Sequence, residues 1–175
     1  MRRRIMVVDD EAFQRNVLQL ALQRQFAADG VDIEAFNDPI RALARARSAD
    51  FAVVIADYRM PGMNGIAFLK EMLELRPDTV RLMLTASTEI ETAMTAVNEA
   101  EVFRFIRKPW DQDFRRAVAD ALGRNASLVA EREATTRVVV RHEESAQQRA
   151  LRELEASEPG ITRVRWGPDG SVLLQ

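Results

Sequence analysis

Between residues 4 and about 110, five short runs rich in β-branched residues alternate strictly with longer segments of helical period: RIMVV, VDIEAF, FAVVIAD, VRLMLT and VFRFI. Alternation of this kind forces each strand to be followed by a crossover helix, and such helices cover both faces of a parallel sheet. FAVVIAD, nearly all apolar, reads as the central strand. The first helix is expected over residues 11 to 26, with Phe13, Val17, Leu20 and Ala21 recurring at helical spacing. In the second, Asp38 is the N-cap and Pro39 the first helical residue. The third runs from Gly65 to Arg76, with Ile66, Leu69, Met72 and Leu73 inward and Pro77 closing it. A fourth covers residues 88 to 98, with Ile90, Ala93, Met94 and Val97 on one side, and a fifth opens at Asp111.

In open α/β sheets the functional crevice lies beyond the carboxyl ends of the strands. Strand one ends in Asp9 and Asp10, strand three in Asp57, strand four in Thr85 and strand five in Lys108. Carboxylates about 4 Å apart repel by roughly 4 kcal/mol per pair at an effective dielectric near 20, so a cluster of three needs a cation. The chain has no cysteine and a single histidine, His142, well past the fifth strand in sequence. That excludes disulfides, thiol catalysis, a histidine-ligated metal centre and a Ser-His-Asp triad within one chain. Hard oxygen donors point to Mg²⁺, which keeps several waters and leaves room for phosphate oxygens. Beside such an ion a carboxylate becomes a nucleophile toward phosphorus, and Asp57, at the tip of the central strand, is best placed for it. Lys108 would neutralise charge on the phosphoryl oxygens and the Thr85 hydroxyl would donate to the new phosphate.

The segments VVDDE, IADYRMPGMNG, LMLTAS and FRFIRKPW, in this order and spacing, resemble the receiver domain of bacterial two-component response regulators over about residues 3 to 122. The resemblance implies a flavodoxin-like (βα)₅ doubly wound sheet of strand order 2-1-3-4-5. It implies Asp57 as phosphoacceptor and a Mg²⁺ ion held by Asp10, Asp57 and the backbone carbonyl of Arg59, with Asp9 acting through water. Lys108 and Thr85 then contact the phosphoryl group, and the Lys108-Pro109 bond is expected to be cis. Phe105 falls at the family's switch aromatic, where a phenylalanine lacks the tyrosine hydroxyl but keeps the rotation. Phosphorylation is expected to draw Thr85 to the phosphate, let Phe105 turn inward, and repack the face formed by the helix at 88 to 98, the fifth strand and the following helix. Arg59 and Ser87 flank the path of an attacking water and tune phosphate lifetime in that family. The stretch NEAEVFRFIRKPWD is similar to receivers attached to HD-GYP cyclic-di-GMP phosphodiesterases, whose histidine-aspartate metal site cannot be built from a single histidine.

Blander readings exist for each residue. Asp9 and Asp10 can cap the first helix, Phe105 can be a core aromatic, and Met60, Met63, Met72, Met83 and Met94 fill packing gaps. Lys70 reads as a solvated helix charge. His142, in VVVRHEESAQQ, lacks the apolar and proline signals of a kinase phosphoacceptor helix.

At 175 residues the chain holds one well-buried domain and an appendage, with 30% charged residues, 47% hydrophobic residues and a net charge of -2. The apolar stretch after Arg2-Arg3-Arg4 is too short for a signal peptide, and nothing approaches the run of about 20 apolar residues that crosses a bilayer, so a cytoplasmic protein without membrane contact is expected. The expected division is a receiver at 1–122, a helical extension at 123–157 and a β-hairpin at 158–175. A single helix over 111–156 would span roughly 70 Å. Val118, Leu122, Asn125, Val129, Thr136 and Val139 approximate a coiled-coil seam, which Leu151 and Leu154 resume and Arg132 disturbs, while Gly123 marks a potential joint. ITRVRW and SVLLQ around GPDG read as a hairpin whose Trp166, Val172 and Leu174 need a partner surface. No helix-turn-helix is present, so the expected partners are a histidine kinase or phosphotransfer protein, a downstream protein and a second copy, without direct DNA binding. Two other classes compete: a Mg²⁺-dependent phosphohydrolase of the haloacid dehalogenase kind, whose nucleophile sits on strand one in an Asp-x-Asp pattern, and a scaffold that works without phosphorylation.

Overall fold

A computed structural model describes residues 3–86, 100–110, 113–157, 165–166 and 172–173. Strands β1 (Arg4–Val8), β2 (Asp32–Phe36), β3 (Val53–Asp57), β4 (Val80–Ala86) and β5 (Arg104–Lys108) form one parallel sheet in the order β2-β1-β3-β4-β5. Helices α1 (Ala12–Phe26), α2 (Pro39–Ser48) and α3 (Gly65–Leu75) follow the first three strands, with a 3₁₀ turn (Ala27–Asp29) after α1. This is the flavodoxin-like architecture, and helix α4 (Asp113–Ser157) completes it. The helix expected at 88 to 98, Ser87 and the Asp111 cap lie outside the described residues.

The pleat of the sheet divides the core in two. Ile5, Val7, Val53, Ile55, Leu82 and Leu84 face Leu18, Leu22 and Phe26 of α1 and Phe114, Val118 and Leu122 of α4. Met6, Val8, Val54, Ala56 and Met83 face Leu43 and Ala46 of α2 and Phe68, Leu69 and Met72 of α3. All five residues of β3 are buried, as its composition requires. Asp38 caps α2, accepting from Ile40 N at 2.8 Å, with Pro39 at the first helical position. Strand β5 begins two residues later than VFRFI suggests, because the chain is still turning at Phe103, whose N–H meets Arg81 O.

Three expectations need correction. Helix α1 packs through Leu18, Leu22 and Phe26, leaving Phe13 79% exposed and Val17 and Leu20 exposed as well. Apolar residues occur on both faces of this helix, so period alone selects the wrong one. In α3 the deeply buried residues are Phe68, Leu69 and Met72, with Ile66 and Leu73 only half-buried. Gly123 makes no joint, since α4 runs unbroken through it.

The chain divides into two compact units, Met1–Val129 and Ala130–Gln175. Val118, Leu122 and Asn125, expected in a coiled-coil seam, are buried within the first unit. Asn125 donates from Nδ2 to Asp78 O at 2.7 Å, fixing the root of α4 to the loop before β4. In the second unit, two-residue strands β6 (Arg165–Trp166) and β7 (Val172–Leu173) pair antiparallel, and the turn expected between them lies outside the described residues. Among the described residues no helix is long and apolar enough to cross a membrane.

Candidate functional site

Register brings the site residues together. Val8 pairs with Ala56, so Asp9 and Asp57 leave the sheet side by side, and Asp57 pairs with Leu84, one residue short of Thr85. Leu84 pairs with Ile106, which puts Lys108 two residues further along; its long side chain reaches back across the strand ends. The Lys108 ammonium lies 2.7 Å from Asp57 Oδ1 and 3.1 Å from Asp9 Oδ2. Asp9 is fully buried, and its Oδ1 accepts from Glu11 N at 2.9 Å. Asp10 is exposed at the mouth. One ligand oxygen from each of Asp9, Asp10 and Asp57 can lie within 4.8 Å of the others.

Burial pushes the Asp57 carboxyl above the usual carboxylate range, and the Asp9 charge adds to this against the hydrogen bond and charge of Lys108. Burial alone would lower the Lys108 ammonium; hydrogen bonds and charges from Asp57 and Asp9 outweigh it and hold that group above its ordinary value. The site therefore carries a charge cluster that its own lysine only partly satisfies. All-oxygen donors, two of them buried, fit a small hard dication.

The loop after β3 is closed on itself. Tyr58 N donates to Leu84 O and Gly65 N to Tyr58 O, both at 2.9 Å, while Gly62 sits at φ +78°, a conformation open to glycine at no steric cost. A Cβ on Gly65 would collide with the Asp57 carbonyl oxygen and approach Tyr58 Cα at 3.0 Å, so only glycine lets α3 start this close to the acceptor strand. A cleft of about 430 Å³ opens there, lined by Asp10, Glu11, Tyr58, Arg59, Met60, Pro61 and Asn64. Arg59 thus shares a cleft with Asp10.

Thr85 is fully buried, and its hydroxyl donates to Ala86 O at 3.1 Å. Phe105, opposite Met83 on β5, is half-buried against the α2 and α3 side of the core. The Lys108-Pro109 bond is cis, as the resemblance implied. Sequence reasoning missed Arg15, whose Nη1 donates to Asp9 O at 2.8 Å and Asp10 O at 3.3 Å. The one trace of it in the sequence is a basic residue near the start of the helix that follows the acid pair, which by itself reads as an ordinary solvated charge.

Five parallel strands in this order, with acids at the ends of β1 and β3 and a lysine at the end of β5, define a doubly wound α/β domain with an acidic site at its carboxyl edge. Residues 5–119 match the family Response regulator receiver domain, and the chain belongs to it. The hydrogenase transcriptional regulatory protein HoxA of Cupriavidus necator is 36% identical over 109 residues, which is 62% of this chain and 22% of HoxA. The chain thus spans less than a quarter of that relative's length. Among solved structures, an adenylate cyclase from Rhodopirellula baltica is 32% identical with a TM-score of 0.68, covering 78% of this chain and 98% of that one. The signal receiver domain of an HD domain-containing protein from Pseudomonas fluorescens Pf-5 is 28% identical with a TM-score of 0.64, covering 73% and 99%.

Proposed function

We propose that this protein is a response regulator that takes a phosphoryl group from a histidine kinase or phosphotransfer protein onto Asp57 and signals through protein contacts. The observation that carries the reading is the Lys108 ammonium wedged between Asp9 and Asp57, with Asp10 completing the acid group. In the transfer, an Asp57 carboxylate oxygen forms a bond to phosphorus while the bond from phosphorus to the donor histidine nitrogen breaks; the imidazole leaves with its electron pair and the product is an acyl phosphate. Asp10, Asp57 and the Arg59 carbonyl, with Asp9 acting through water, would hold a Mg²⁺ ion there, and bound it would neutralise charge on the phosphoryl oxygens. Lys108 follows the charge from the carboxylate to the phosphoryl group, and the Thr85 hydroxyl leaves Ala86 O to donate to it. Phe105 then fills the space beside Thr85. Asp57 and its neighbours promote only this chain's own phosphorylation and dephosphorylation.

A donor must cover the rim of the acid site, and the exposed stripe of Phe13, Val17 and Leu20 on α1 begins just after Asp10. That stripe is the surface a kinase helix would meet. Output passes through the face around β5 and through the C-terminal extension and its terminal hairpin, in a homodimer that binds a downstream protein. The likeness to a receiver of an HD domain-containing protein supports a role in signalling. The proposed division is 1–122, 123–157 and 158–175, with Asn125 and Leu128 at the start of the extension packed on the receiver core.

Incubation with Mg²⁺ and acetyl phosphate, followed by intact mass, tests this. A covalent phosphate that is absent from Asp57→Asn is the expected result. Rapid turnover of many phosphoesters would favour the haloacid dehalogenase alternative, although that class keeps its nucleophile on strand one. No reaction would favour the scaffold.

A further inference from the structure

We propose that Arg15 is a positioning residue for the acid pair: it fixes the bend after β1 so that the Asp9 and Asp10 carboxylates converge on Asp57. In an extended strand, consecutive carbonyls point to opposite sides. Here a single guanidinium nitrogen serves two consecutive ones, Asp9 O at 2.8 Å and Asp10 O at 3.3 Å, which requires the chain to turn between them. Arg15 is anchored in turn, because its backbone N–H joins the first turn of α1 through Glu11 O at 3.0 Å. Two further bonds complete the clamp: Asp9 N donates to Phe36 O at 3.1 Å, and Asp9 Oδ1 accepts from Glu11 N. One carboxylate of the pair is consequently directed inward to Lys108 and the other outward to the mouth.

A guanidinium held against the backbone of the acid pair has two effects of opposite sign on a dication bound there. Its charge weakens binding through the local potential. Its hold on the backbone strengthens binding by fixing the ligands in advance, as groups behind metal ligands do. Both contacts go to carbonyls and not to carboxylates, so the second effect dominates.

The inference rests on the Mg²⁺ reading above, and calorimetric titration of the full chain with MgCl₂ separates the two. Failure of the wild type to bind Mg²⁺ overturns that reading and this one with it. With a binding wild type, Arg15→Met is expected to weaken Mg²⁺ about ten-fold, Arg15→Lys to recover part of the loss, and Arg24→Met, an exposed change at the far end of α1, to leave affinity unchanged. Each variant is measured at a temperature where its circular dichroism shows it fully folded. At that temperature, saturating Mg²⁺ should restore acetyl phosphate labelling of Arg15→Met to the wild-type level, as expected of a residue that acts through the ion's affinity and not through the chemistry. An Arg15→Met affinity within two-fold of wild type, or tighter, overturns the proposal. Should that variant not fold, Arg15→Gln is held to the same threshold.

Discussion

Asp57 and Lys108 share a contact yet respond to pH in different ranges. For Asp57 the raised pKa means that the folded state favours the neutral acid, so its contribution to stability is fully present below the ordinary value of 3.8 and is lost as pH rises through the raised value. At pH 7 burying Asp57 beside Asp9 is thus a net cost. Asp57→Asn is therefore expected to raise the melting temperature at pH 7 without Mg²⁺ by a few degrees, or about 1 kcal/mol. The gain should shrink in melts run at successively lower pH; equal or lower melting of the variant at pH 7 would contradict the account. Lys108 behaves in the opposite sense. Its raised value gives stability that is present below 10.5 and is lost as pH climbs through the folded value. Lys108→Met strands two buried carboxylates, at a cost of about 3 kcal/mol. Because Mg²⁺ can substitute for the missing cation, urea unfolding should show the variant gaining more from Mg²⁺ than the wild type gains.

Among the elements, Gly123 offers the sharpest test of helix continuity. It lies inside α4 with nothing within 4 Å of where a Cβ would stand. Gly123→Ala should stabilise the receiver by about 0.5 to 1 kcal/mol in chemical denaturation, since it restricts the unfolded chain without meeting a neighbour; destabilisation would mean that the helix breaks there. The sequence pattern pointed the wrong way at this glycine for the same reason it chose the wrong face of α1. Local signals weigh a residue against its own neighbours, whereas burial is decided by distant strands. The five strands were legible because β-branched runs flanked by turns leave few alternatives. Asp9, Asp10, Asp57, Thr85 and Lys108 were legible because strand ends in such a sheet share one edge. Arg15 was not, because its partners are backbone carbonyls, which carry no residue identity, and an arginine on a helix ordinarily reads as a solvated charge. Gly65 stood within the quoted motif, but its close approach to Asp57 depends on where α3 lands and only the three-dimensional arrangement reveals it.

For the whole molecule, the decisive contrast lies along α4. Its first turns are core: Phe114, Val118, Ala121 and Leu122 are buried, and Asn125 is tied to Asp78 O. Past Val129 the described side chains are almost all exposed, including Val138, Leu151 and Leu154. Among the described residues this stretch is largely polar, with exposed pairs such as Arg137 with Glu133, and such pairs add little to a helix that is marginal in water unless it packs on something. The apolar positions that remain are spaced unevenly, which favours weak, reversible association over a long zipper. The described residues of both core clusters all lie before Ala130, so the first unit is expected to fold without the extension. A chain ending at Val129 is accordingly expected to melt within a few degrees of the full protein and to accept phosphate from acetyl phosphate at the same rate. The full chain should sediment with a concentration-dependent mass that rises toward a dimer, while the shortened one stays monomeric throughout. Equal sedimentation of the two would place self-association in the receiver or abolish it, and a shortened chain that fails to fold would make the extension part of the receiver core.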